Sequence, residues 1–464
     1  MKLCVIGGAG ARSAFLTKSL VKSAREIRVD HIVLLDNNEE HLRTYGQISK
    51  ELARRMEPSL TFDITSDARG ALTGADYIIT TIRAGGDAGR LFDEKTCLAH
   101  GVLGQETTGA GGFAMAIRSV PTLVYYCTLA REVSNPGHLI FNFTNPSGII
   151  TQALRSCGFA NVYGICDAPS GFIKQLEEIL NVPYGALDIE CYGLNHLSWF
   201  RNAKLDGRDV QEELLNNPRT YQHSEMRLFT RDMARLSGEC MLNEYLYFYY
   251  RREKSLSMVQ KAEHPRGEMI YLINRELETQ LAQMELPRDF EKAFNLYMNA
   301  YGKRENAYFS VESGARREKV WNPPTVEEFL AEPDEGGYAA VALRFIRAIT
   351  DGEDCRMVLS VPNNGAIEGL QDDDVVEITC DIHSDGAHPI HIGVIDEFQL
   401  QQIKRLKYFE RCTIQAILHD DRDSAVKGLA LHPLVNDFEL AETLSGIFFK
   451  EYASFIHMNE APGQ

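Results

Sequence analysis

Val5-Ile6-Gly7-Gly8-Ala9-Gly10-Ala11-Arg12-Ser13, VIGGAGARS, stands near the start of the chain, and its reading decides the fold. A short β-rich run at 3–6 ends in glycines, and a helical pattern follows at 14–25. Strand, Gly8-x-Gly10-x-x-Ser13 and helix is the layout by which a dinucleotide fold brings its backbone up to a pyrophosphate. The third position holds Ser13 in place of the usual glycine, still small enough for close helix packing. A carboxylate closing the second strand should hold the adenine-ribose hydroxyls. Asp36, in HIVLLDNN, stands there and favours NAD over its 2′-phosphorylated form. Gly8, Gly10, Ser13 and Asp36 are thus expected cofactor contacts. A tight turn without a ligand is the competing reading of the glycines alone.

Working outward, β-rich runs at 32–35, 77–82, 139–143 and 162–165 alternate with helical patterns. That alternation means βαβ units and a parallel sheet covered on both faces. From about Asp188 the texture changes to strands with an Asp206-Gly207 hairpin turn, then helical patterns at 225–250, 267–283 and 399–419. At 464 residues the chain is too long for one ordinary core. We expect two closely joined domains, 1–195 and 196–464.

The composition, 44% hydrophobic and 24% charged, is that of an ordinary globular protein. A formal charge of −17 argues against nucleic acid or an anionic membrane as partner, while leaving room for a local basic pocket. The first residues lack a signal-peptide pattern, and no apolar run reads as long enough to span a bilayer. Ten cysteines stand singly, with no CxxC, as reduced thiols do. The expected compartment is the cytoplasm.

Cys166, in GICDAPSGF (164–172), admits three readings: a buried filler, a nucleophile, or a metal ligand completed from elsewhere. His196, in YGLNHLSW, is a second candidate ligand, since thiolate and imidazole both suit divalent transition metals. The spacing of 30 residues proves nothing by itself. In open α/β sheets, however, ligands gather beyond the carboxyl ends of strands, and Cys166, Asn145 and the glycine loop all follow strand patterns.

Several segments together resemble family 4 of the glycoside hydrolases. They are IRAGGDAGRLFDEKTCLAHGVLGQETTGAGGFAMAIRSVP (82–121), NFTNPSGIITQAL, GICDAPSGF, YGLNHLSW, LNEYLYFYY and VPNNGAIEGL, in the family's order. LNEYLYFYY followed by AEHPRGEMI is most similar to its 6-phospho-β-glucosidase branch. The resemblance implies an α/β fold: an N-terminal Rossmann-type domain with a C-terminal mixed α+β domain, as in lactate and malate dehydrogenases. It also implies NAD, a divalent metal (commonly Mn²⁺) and homodimers or homotetramers. Members of this kind stand apart from two-carboxylate glycosidases. Oxidation at sugar C3 acidifies the C2 proton, a metal on the C2 and C3 oxygens stabilises the anion, and the aglycone is eliminated. Water then adds and the hydride returns, so hydrolysis proceeds without net redox change.

Position by position, the resemblance implies Cys166 and His196 as metal ligands and Tyr245 as C2 base, with Tyr247 the fallback. Asn145 and Glu106 would lie near the reacting hydroxyls, with Asn145 also beside the cofactor. Arg83 and Arg90 flank a glycine-rich loop and read either as ligand contacts, Arg83 for the cofactor and Arg90 for the substrate, or as solvated surface groups; Arg266, in HPRGE, is the candidate for gripping a substrate 6-phosphate. Two departures stand out. Gly10 and Ala14 replace a serine and a proline usual in the loop, with Arg12 and Ser13 between them. Asp167 follows the metal cysteine where β-acting members usually carry asparagine and α-6-phospho members an acid for the leaving group. A lactate/malate-type dehydrogenase and a non-catalytic NAD sensor are the rival readings.

Overall fold

The computed structural model describes residues 1–286, 288–306, 309–314, 321–334 and 339–456. Six parallel strands form its first half: β1 (Lys2–Ile6), β2 (His31–Leu35), β3 (Thr61–Thr65), β4 (Tyr77–Thr80), β5 (Leu139–Asn142) and β6 (Val162–Gly164). Their order, β3-β2-β1-β4-β5-β6, is that of a dinucleotide-binding sheet. Alternate residues of β1 go to opposite cores: Leu3 and Val5 to one, Cys4 and Ile6 to the other. Both faces of the strand are therefore dry, which is why it reads as an unbroken apolar run. Of these six, β3 is the one that the sequence reading passed over; its residues are largely exposed or half-buried, so its hydrophobic signal is weak.

The remaining strands are β7 (Leu187–Leu194), β8 (Leu197–Leu205), β9 (Arg208–Asp209), β10 (Met241–Leu242), β11 (Cys355–Pro362), β12 (Val375–His383) and β13 (Gly386–Pro389). They continue the same sheet antiparallel, joined to β6 through Ser360 on β11 opposite Gly164. Asp206-Gly207 makes the β8–β9 turn as expected, and Asn195-His196 forms the tip between β7 and β8.

Two expectations need correction. The 225–250 segment is not one helix: it holds short helical turns, the strand β10 and a five-residue helix, Leu246–Tyr250. Gly238 at positive φ, packed against Gln399 and Asp396, and the pairing of Met241 and Leu242 with β8 break the helical run. The Gly109–Val133 helix does have the length and apolar composition to cross a bilayer. Here most of it is packed inside the core, with Pro121 in its interior.

A third core ties the halves together beside the glycine loop. Ala14, Tyr45 and Leu52 pack there with Leu277, Phe294, Tyr297 and Phe329. It seats the Phe290–Asn306 helix directly on the loop, where Tyr297 Oη donates to the Ala11 carbonyl at 2.9 Å.

Candidate active site

One cleft of about 920 Å³ runs from Asp36, past the glycine loop, to Cys166 and His196. Gly8, Gly10, Ser13, Asp36, Arg83, Arg90, Glu106, Asn145, Cys166, Asp167, His196, Tyr245 and Arg266 all line it. Tyr247 does not; it is buried in the core against Phe229 and Phe248, so the fallback base is set aside.

At the dinucleotide end the glycines do different work. Gly7, which the sequence reading left out, takes φ +82°, and a Cβ there would meet Ile82 at 2.8 Å. A Cβ on Gly8 would meet Leu34 at 2.9 Å, so Gly8 packs the loop onto β2. At Gly10 the nearest atom is 3.8 Å away, which leaves the loop's open face to a ligand. Asp36 accepts from the amides of Ala9 (3.3 Å) and Asn38 (3.0 Å), and burial raises its pKa. Two unblocked glycine faces are not needed; one open backbone beside one fixed carboxylate is what a dinucleotide requires, and this end fits it.

The opposite end is assembled from distant segments. Cys166 caps the Asp167–Leu180 helix, and His196 sits at φ +64° on the β7–β8 tip. A left-handed conformation costs a histidine about 1 kcal/mol or more, so tertiary contacts must hold it. They do: Asn195 Nδ2 and Ser198 Oγ each donate to one oxygen of Glu377, both at 2.9 Å. Cys166 Sγ and His196 Nε2 stand 3.8 Å apart, and His196 Nδ1 meets Thr107 Oγ1 at 3.0 Å. Burial pulls the imidazole down to about 3, so it is neutral and can ligate. Burial, then Glu377 and Asp167, push the Cys166 thiol well up, and a divalent cation would reverse that. Among the described residues no group of three or more His, Cys, Asp or Glu could hold a metal ion. This two-donor set of neutral imidazole and thiol still fits a borderline divalent metal whose other positions go to the substrate and water. The Tyr245 ring stacks on His196, centroids 3.7 Å apart and 6° from parallel.

Between the two ends lies an ionic cluster, buried at Arg90 and Glu94 and half-buried at Arg83, Asp87 and Glu106. Arg90 bonds Glu94 at 2.7 Å and Glu106 at 3.2 Å, while Arg83 pairs with Glu106 and with Asp87 at 3.4 Å. Burial alone would raise the Glu106 pKa, yet Arg83 and Arg90 hold it well below the usual range. Both arginines are thus inside the site, and neither is a solvated surface group. Arg266 opens the Arg266–Leu281 helix, close enough for its charge to act on Glu106 and Glu312. The two departures in the sequence meet in space: Arg12 Nη1 lies 3.6 Å from Asp167 Oδ2. Thr107 stands in the 82–121 segment next to Glu106 but the sequence reading assigns it no role there, and Glu377 lies in no motif that would have marked it.

The match to known proteins falls on this architecture. Residues 2–182 match the family 4 glycosyl hydrolase description, and 191–435 match the family 4 glycosyl hydrolase C-terminal domain. The chain belongs to family 4 of the glycosyl hydrolases. It is 30% identical over 451 residues to the 6-phospho-beta-glucosidase BglT of Thermotoga maritima, covering 96% of each chain. It is 26% identical to the phospho-alpha-glucosidase PagL of Clostridium acetobutylicum, covering 95% of each. The Thermotoga maritima 6-phospho-beta glucosidase, solved with manganese, NAD+ and glucose-6-phosphate, superposes with a TM-score of 0.79 at 28% identity. That likeness covers 98% of this chain and 99% of the other. The α/β fold with its Rossmann-type first half is therefore that of a family 4 enzyme.

Proposed function

We propose that this enzyme hydrolyses 6-phospho-glucosides, with the β-linked class favoured, using NAD and Mn²⁺. The observation that carries the reading is the convergence, in one cleft, of Cys166 Sγ and His196 Nε2 at 3.8 Å under the Tyr245 ring. Relatives in both anomeric classes named above act on phosphorylated glucosides by name. When bound, NAD takes and returns a hydride at sugar C3, and the metal polarises the C2 and C3 oxygens. Cys166 and His196 hold the metal, with Thr107 fixing the imidazole so that Nε2 faces the cleft. Tyr245 removes the C2 proton. Asp167 donates to the departing aglycone oxygen, and Asn145 and Glu106 orient the sugar hydroxyls. Arg90 and Arg266 bind the substrate, Arg266 through its 6-phosphate; Gly8, Gly10, Ser13, Asp36, Arg83 and Asn145 bind the cofactor. We place the enzyme in the cytoplasm as a homodimer or homotetramer, with a domain boundary near residue 195.

A 6-phospho-α-glucosidase is the second reading, favoured by Asp167 on the cleft wall. Hydrolysis of unphosphorylated glycosides and a lactate/malate-type dehydrogenase follow in that order. One panel separates them: p-nitrophenyl α- and β-6-phosphoglucosides and their unphosphorylated forms, with NAD and Mn²⁺. The expected result is turnover of the β-6-phosphoglucoside with no NADH accumulating. NADH appearing in step with turnover would overturn the hydrolase reading.

A further inference from the structure

The stretch GQETTGAGG (104–112) carries two groups of the site on consecutive residues: Glu106 turns to Arg83 and Arg90, and Thr107 turns to His196. Gln105, beside them on the cleft wall, has no part in the chemistry described so far. Its side chain folds back over the turn. Gln105 Oε1 accepts from the amides of Thr107 at 2.6 Å and Thr108 at 3.1 Å, and lies 2.7 Å from Thr107 Oγ1. Backbone amides can only donate, so the atom facing them is the side-chain oxygen and not the nitrogen. That oxygen brings no proton to the hydroxyl, and Thr107 must supply it. The single hydroxyl proton of Thr107 is thereby spent on Gln105. Toward His196 Nδ1, at 3.0 Å, Thr107 Oγ1 can act only as acceptor, and Nδ1 must donate. In a neutral imidazole this leaves the lone pair on Nε2, the nitrogen that stands 3.8 Å from Cys166 Sγ. The turn itself is tightly seated. A Cβ on Gly111 would run into the Gln105 carbonyl, and one on Gly112 would meet the Thr107 carbonyl carbon at 2.8 Å. From the other side Tyr249 Oη pairs with Thr108 Oγ1, and His432 Nε2 accepts from the Gly109 amide at 3.3 Å.

We propose that Gln105 is a positioning residue that sets the tautomer of His196 through the Thr107 hydroxyl, so that the Nε2 lone pair is held ready for a metal ion. The use of that lone pair for Mn²⁺ rests on the functional reading above; the direction of the hydrogen bonds does not. Without the Gln105 oxygen the Thr107 hydroxyl can turn and donate to Nδ1. The ring proton then moves to Nε2 and blocks the ligating position. A relay of two neighbouring residues thus does here what a carboxylate or carbonyl does directly for other metal-bound histidines.

Histidine ¹⁵N NMR of the metal-free full chain reads the tautomer, with the His196 signals assigned by their absence from His196→Ala. The expected wild-type pattern is a protonated Nδ1 and a bare Nε2; a protonated Nε2 overturns the proposal. Equilibrium dialysis against Mn²⁺ alone then reads what the relay contributes. Gln105→Leu should weaken Mn²⁺ binding ~10–100-fold, the usual cost of losing a partner behind a ligating histidine. In a Thr107→Val background no hydroxyl remains to be steered, and adding Gln105→Leu should weaken binding no further. A merely structural role for Gln105 would instead lower the affinity equally in both backgrounds. That additivity, or wild-type affinity in Gln105→Leu, overturns the relay. Should Gln105→Leu fail to fold, the tautomer of the wild type still decides. A wild type with the expected tautomer that binds no Mn²⁺ removes the metal reading and leaves the relay standing.

Discussion

The two ends of the cleft are built on opposite plans. The dinucleotide end comes from one stretch of about thirty residues in which backbone conformation does the recognising: glycines turn and expose amides, and a single carboxylate closes the next strand. The end proposed to hold the metal draws Thr107, Cys166, His196, Tyr245 and Glu377 from five separate segments, and it is built of side chains. The backbone site is built on neighbouring strands, the loop resting on β2 through Gly8 and against Ile82 through Gly7. A side-chain site of this kind exists only once the sheet has closed, with β12 bracing the β7–β8 tip.

That contrast predicts a gradient of effects. Removing a ligand at the metal end should be most costly: Cys166→Ser or His196→Ala should lose several kcal/mol of transition-state stabilisation, ~10³-fold or more in kcat/KM. Equilibrium dialysis with Mn²⁺ should show the metal gone while NAD still binds; NAD lost alongside would mean that the two ends are not separable. Tyr245→Phe comes next, with kcat falling ~10²–10⁴-fold as for a lost general base. Mn²⁺ should stay bound, and deuterium at sugar C2 should no longer exchange with solvent. Continued exchange at the wild-type rate would move the base elsewhere. Thr107→Val, which frees His196 Nδ1, should cost ~10–100-fold in Mn²⁺ affinity.

At the dinucleotide end a single methyl group separates packing from binding. Gly8→Ala, whose Cβ would press on Leu34, should destabilise the fold by ~1–3 kcal/mol in thermal melts. Gly10→Ala should melt like wild type, because its Cβ meets nothing closer than 3.8 Å, yet bind NAD more weakly. Equal losses of stability in both would erase the distinction.

A further effect is in pH. Burial pulls the His432 imidazole, beside Thr108, down to about 3. It is neutral when folded, so below the ordinary value of 6.5 the unfolded chain binds the extra proton, and stability falls from 6.5 toward 3. His41 near Asp36 shifts the other way: burial lowers its pKa, but Glu278 at 3.2 Å more than offsets this and raises it. Its contribution is full below 6.5 and lost as pH rises through the folded value. Melting curves against pH should therefore flatten on the acid side for His432→Gln and on the neutral side for His41→Gln.

How much of this could be read beforehand follows the same division. The strand–glycine–helix unit, the parallel strands and Asp36 are written in local pattern, because period, turn chemistry and strand-end position are properties of neighbouring residues. The broken 225–250 segment was not legible, since its strand β10 exists only by pairing with β8. Arg83 and Arg90 read equally well as surface charges, and only their pairing with Glu106 and Glu94 inside the cleft removes that option.

The sequence by itself determined the dinucleotide half of the fold, the family and the residue types at the reacting centre, because each is carried by a contiguous motif. Only the tertiary structure decided that Cys166 and His196 face one another across thirty residues, that Tyr245 and not Tyr247 covers them, and that Arg12 meets Asp167. Those facts depend on distances between strands, and a distance between strands is set by the packing of the whole sheet.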